Sequence, residues 1–99
     1  PAVPVDVESP RFGLEDEMEL LEAAQVALEA ADHTKVSALL ERFAERHPKP
    51  VLSQERDALQ ARWMCRAQQP GAQENAQRFF RLHPRSPYEE PVKMDCGTP

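Results

Sequence analysis

A seven-residue segment that occurs twice constrains this chain more than any other feature. Arg42-Phe43-Ala44-Glu45-Arg46-His47-Pro48 returns as Arg78-Phe79-Phe80-Arg81-Leu82-His83-Pro84, displaced by 36 residues, with Arg, Phe, His and Pro in register. Self-similarity at a period of about 20–50 residues marks a chain built by stacking one supersecondary unit, and helix-turn-helix units recur at about 34 residues. A lone helical hairpin cannot cover both its faces, so a second stacks on it and the two share a core. A length of 99 residues accommodates two such units and little else.

The stretches between prolines are made of helix formers. Only three glycines occur, while Ala, Leu, Glu, Gln and Arg dominate the middle of the chain. Leu14, Met18, Leu21, Ala24 and Leu28 follow the spacing of a buried helical stripe and predict a first helix over Leu14–Ala30. Glu15, Asp16, Glu17 and Glu19 crowd its first turns, where the helix dipole favours negative charge. Asp32 reads as the N-cap of a second helix that buries Val36, Leu39, Leu40 and Phe43, ends near Arg46 and is stopped by Pro48 and Pro50. Ser53 caps a third helix reaching Gln68, with Leu52, Leu59, Trp63 and Ala67 inward. Pro70-Gly71 breaks the chain before a fourth, Ala72–Leu82, which buries Ala76, Phe79 and Phe80. Ser86, Pro87 and Glu89 form a capping box for a short last turn that Pro91 cuts short. The expected fold is therefore all-α, two helical hairpins (four helices) plus a short C-terminal turn, with Phe43, Phe79, Trp63 and Leu40 at core repeat positions. Residues 1–13 carry Pro1, Pro4 and Pro10, which oppose both a helix and ladder pairing of Val3, Val5 and Val7; they read as a flexible arm ahead of a domain over residues 14–97.

Charge is uneven. Residues 1–31 hold eight acids against Arg11 alone, the remainder is slightly basic, and the net charge is −5. An acidic domain of this kind is a poor phosphate binder, so nucleic acid is not an expected partner. No run approaches the roughly 20 apolar residues of a membrane span. Catalysis finds no support either. Gly13, Gly71 and Gly97 are isolated, Ser9, Ser37, Ser53 and Ser86 lie in no nucleophile motif, and His33, His47 and His83 lack the close pairing of zinc ligands. No cofactor, metal or catalytic residue is expected; His47 and His83 are read as side chains that engage helix C-terminal carbonyls.

The stretch Ala31-Asp32-His33-Thr34-Lys35-Val36-Ser37-Ala38-Leu39-Leu40 resembles the inter-helix turn and second helix of a tetratricopeptide repeat, with Pro48 where that repeat ends. Ala31 stands where the repeat usually has glycine, and the second turn is rebuilt around Pro70-Gly71. His83-Pro84-Arg85-Ser86-Pro87-Tyr88 is similar to the repeat ending of envelope tetratricopeptide proteins such as the Tol–Pal coordinator and the barrel-assembly lipoprotein. Residues 14–97 together resemble a bacterial two-repeat domain often carried behind a transmembrane helix in regulatory or lipoprotein-like envelope proteins, some of them similar to anti-sigma factors.

The resemblance implies a short α-solenoid, a periplasmic setting, and tethering through a segment ahead of Pro1. Its usual cysteines correspond to Cys65 and Cys96, which as a disulfide would pin the C-terminal turn to the second repeat and imply an oxidising compartment. As separate thiols they would instead suit a cytosolic regulator, Cys65 being simply buried. The expected function is protein–protein interaction or scaffolding, with another protein or peptide as partner and Arg62, Arg66, Arg78 and Arg81 as candidate contacts for acidic groups. A structural subunit packed permanently in a larger complex is the competing role.

Overall fold

The computed structural model describes residues 12–97, so the expected arm lies outside the described residues except for Phe12 and Gly13. The described chain is all-helical, with α1 (Leu14–Glu29), α2 (His33–Arg46), α3 (Ser53–Arg66), α4 (Ala72–Leu82) and α5 (Glu89–Cys96). Helix α1 packs on α2, α4 and α5 both pack on α3, and α1 lies against α3.

The turns inside the two helix pairs are built alike. Ala31 N–H donates to the Leu28 carbonyl at 3.0 Å and Asp32 N–H to Ala27 at 2.9 Å; Gln68 and Gln69 repeat the pattern on Cys65 and Met64 at 3.2 and 2.9 Å. This double closure requires a left-handed residue just past the helix, and Ala31 (φ 58) and Gln68 (φ 54) supply it. In the first turn Asp32 then serves at once as N-cap of α2, its carboxylate accepting Lys35 N–H at 3.2 Å. In the second, Pro70 and Gly71 (φ 80) lengthen the link before α4 starts. A Cβ in the left-handed region costs about 1 kcal/mol, part of which glycine returns through its freer unfolded chain. Ala31→Gly is therefore expected to stabilise the fold by about 0.5 kcal/mol and to raise the melting temperature by about 2–4 °C. An unchanged or lower midpoint in thermal unfolding would show that the turn stores no strain at Ala31.

Two apolar clusters make the interior. The first joins α1, α2 and α3 through Leu20, Leu21, Ala24, Ala27, Leu28, Val36, Leu39, Leu40, Phe43 and Leu59. The second joins α3, α4 and α5 through Ala58, Ala61, Ala76, Phe79 and Val92. The single shared core expected from the repeat is thus two clusters that meet at α3, because Leu59 faces one way and Ala58 and Ala61 the other. Trp63 is half-buried and packs on the first cluster; Phe80 is half-buried beside the second.

Several local expectations are corrected. Leu14 and Met18 are not in the buried stripe of α1: they are 47% and 54% exposed, whereas Glu17, Leu20, Leu21, Ala24, Ala27 and Leu28 face inward. The true apolar face is rotated around the helix, which leaves Leu14 and Met18 on its edge. Ser53 does not cap α3, which starts behind Leu52 with no side-chain cap of its own. Ser86 does not cap the last helix; its hydroxyl accepts Tyr88 N–H at 3.0 Å and folds the link into a turn. Helix α5 also runs through Pro91 rather than stopping there. Pro91 sits in the first turn, where a backbone N–H has no intrahelical partner, so its missing donor costs nothing.

Candidate functional site

The duplicated His-Pro segments hold two similar latches. His47 Nε2 lies 2.7 Å from Asp16 Oδ2, and His83 Nε2 lies 2.9 Å from Asp57 Oδ2. In each, a histidine just past the second helix of a pair meets an aspartate in the opening turns of the first. The rings stack alike on the preceding phenylalanines, 5.1 Å from Phe43 and 5.2 Å from Phe79. The histidine side chains therefore engage carboxylates, not the helix carbonyls expected from sequence. An Asp–His pair can serve acid–base chemistry, but the His47 side chain is only 3% exposed, and the second latch is a partly exposed pair whose aspartate lies about one turn further along its helix. They close the open ends of the helix pairs.

Glu17 takes on a second structural task. Buried beside His47, it accepts the backbone N–H groups of Val51 and Leu52 at 3.1 and 2.8 Å. A carboxylate from α1 thereby satisfies orphan donors at the start of α3 and fixes the link between the two pairs. Arg46 adds an ion pair to Asp16 at 2.8 Å and lies over the Phe12 ring at 4.8 Å.

Of the four candidate arginines, two are engaged within the fold. Arg62 and Arg66 grip the two oxygens of Asp95 at 2.8 and 2.9 Å, and Arg66 also donates to the Leu28 carbonyl at 3.3 Å. They bind α5 to α3 and tie α3 to the end of α1. Arg78 and Arg81 stand exposed on α4 beside open clefts, without an ionic partner among the described residues. Cys65 and Cys96 form a disulfide with their Cα atoms 5.3 Å apart, joining α3 to the end of α5. Among the described residues no cluster of His, Cys, Asp and Glu is arranged to hold a metal ion. Trp63 borders an open cleft with His33, and its buried indole Nε1 has no hydrogen-bond partner among the described residues.

An apolar concavity lies between α1 and α3. It encloses about 340 Å³; Met18, Leu21 and Gln25 form one wall, Leu52, Ala58 and Leu59 the other, with Glu22, Glu55, Arg62 and Tyr88 around them. Leu14, one turn before Met18, continues the apolar wall along the helix. Tyr88 closes one end by donating its hydroxyl to Glu55 at 3.4 Å, and desolvation by burial, with the Glu55 charge adding to it, pushes its phenol pKa above the usual value. The displaced apolar stripe of α1 is the sequence signal for this groove: Leu14 and Met18 fit a helical period yet lie off the face centred on Leu20, Ala24 and Ala27. No protein-family model, curated protein or solved structure matches this chain significantly.

Proposed function

We propose that this chain is a non-catalytic protein–protein interaction or scaffolding module, two tetratricopeptide-like hairpins forming a short solenoid in the extracytoplasmic part of a bacterial envelope protein. One observation carries the reading: Met18 and Leu21 wall an apolar groove between the first helices of the two pairs, with Met18 substantially exposed and Leu14 exposed one turn before it. An apolar concavity with a few polar groups at its edge is what a docking segment of another protein requires. The equal turns and similar Asp–His latches support treating the two pairs as copies of one unit.

The disulfide supports an oxidising compartment over the cytosolic, free-thiol alternative. No helix among the described residues is long and apolar enough to cross a membrane. A permanently packed subunit would present one broad apolar face, whereas the other large exposed apolar residues are spread along the chain: Phe12 just before α1, Val26 near the end of α1, Val51 in the link to α3, Leu82 on α4 and Met94 on α5.

A photo-crosslinking amino acid placed at position 18 in the full-length protein, in the cells that make it, tests the groove. A discrete protein adduct is expected from that position and none from position 82, which is exposed on α4 away from α1. No adduct at 18, or the same adduct from both, would remove the docking role.

A further inference from the structure

We infer that the occupant of the α1–α3 groove is a cationic amphipathic segment, apolar on the face it inserts and carrying Lys or Arg alongside. The inference rests on the docking role proposed above and adds the chemistry of the partner.

Charge around the groove is unbalanced in one direction. Helix α1 contains no basic residue over Leu14–Glu29. Its acids divide into two sets. Asp16 and Glu17 face the rest of the fold and are taken by Arg46, His47 and the start of α3. Glu15, Glu19 and Glu22 are exposed, and none has a hydrogen-bond or ionic partner among the described residues. Glu15 and Glu22 are two turns apart on the side of α1 that borders Met18, so they flank the apolar wall. Across the groove, Glu55 adds a carboxylate whose described partner is the neutral Tyr88 hydroxyl. Among the described residues Arg62 is the one cation lining the groove; it shares Asp95 with Arg66 at 2.8 and 2.9 Å, so that cluster keeps a single positive charge against the four carboxylates of Glu15, Glu19, Glu22 and Glu55.

An apolar floor beneath uncompensated carboxylates selects its ligand by charge. An anionic segment, phosphate group or acidic bilayer surface would bring like charge over a desolvated floor, which costs affinity and slows encounter. An uncharged apolar segment would draw water from the carboxylates and give nothing back. A segment with Lys or Arg beside its apolar face meets both demands.

The test uses two fluorescein-labelled synthetic helical peptides that share one leucine face and differ only in Lys or Glu at the flanking positions. Their binding to the whole chain is read by fluorescence anisotropy. The Lys peptide is expected to bind at least about tenfold more tightly than the Glu peptide, with an affinity that falls as salt is added. Glu15→Lys with Glu22→Lys, both exposed positions, should weaken the Lys peptide by about tenfold and improve the Glu peptide. Met18→Asn, which removes the apolar contact without adding charge, should weaken the Lys peptide, and circular dichroism should show each variant still helical. Equal affinities, or preference for the Glu peptide, overturn the inference; if binding then still depends on Met18, the groove survives as a docking site with a different partner. Binding that ignores Met18→Asn overturns both. Failure of the Lys peptide to bind overturns the inference alone, because crosslinking from position 18 reads the docking role without any assumption about charge.

Discussion

Phe43→Ala is expected to lower the unfolding free energy by about 4 kcal/mol and Phe79→Ala by about 3 kcal/mol, the largest losses that single substitutions should produce here. Phe43 has no exposed surface and stands among large aliphatic side chains from α1, α2 and α3. Its ring also supports His47 at 5.1 Å and lies 5.9 Å from the Arg56 guanidinium on α3. Truncation therefore opens a cavity and loosens the latch to Asp16 together. Phe79 stands in the equivalent place beside His83, but its neighbours include three alanines and it meets Phe80 edge-on at 5.8 Å. Smaller neighbours make fewer contacts to lose, and half-buried Phe80 can shift into part of the space, which argues for the lesser cost. A domain of this size has a total stability of about 5–10 kcal/mol, so either variant should unfold at far lower urea concentration. Losses below about 1 kcal/mol in both, measured by urea unfolding with circular dichroism, would mean that these rings do not hold the helix pairs together.

Much of this arrangement was legible because the signals are local. Helix periodicity, the Asp32 cap, the proline stops and the duplicated Phe and His-Pro positions depend on residues close in sequence, and the helices start and end near where those signals put them. What escaped depends on partners far along the chain. Asp16 and Glu17 look like ordinary dipole-favouring acids at a helix start, yet they reach His47, Val51 and Leu52 across more than 30 residues. Arg62 and Arg66 look like solvated helix charge until Asp95 is brought between them. The groove was half-visible: Leu14 and Met18 carried the correct period, but period alone does not tell the centre of an apolar face from its edge. Pro91 misled because its effect depends on where the helix begins, and the turn at Ser86–Tyr88 moved that start to Glu89.

Removing the Cys65–Cys96 bridge, by Cys65→Ala with Cys96→Ala or by reduction, is expected to cost about 3.5 kcal/mol, because it frees a loop of 31 residues in the chain-entropy account of disulfide stabilisation. The loss should fall unevenly. The first cluster is rich in leucine and keeps its Asp16 and Glu17 ties, while the second relies on three alanines, Phe79 and Val92. Helix α5 is only eight residues long, well below the length at which a helix persists in water, so it depends on Val92, on Asp95 between two arginines and on the bridge. Without the bridge, α5 should open before the rest of the domain, and amide exchange should accelerate over 86–97 while α1 and α2 stay protected. Unchanged stability and unchanged exchange after reduction would show that packing alone holds α5. The consequence extends to the groove, since Tyr88 closes one of its ends and Arg62 there keeps its ion pair only while Asp95 is in place. Opening α5 therefore loosens the Tyr88 end of the groove and frees the Arg62 charge beside its carboxylates, so the bridge-free protein should also bind the Lys-flanked peptide more weakly, with α1 still folded.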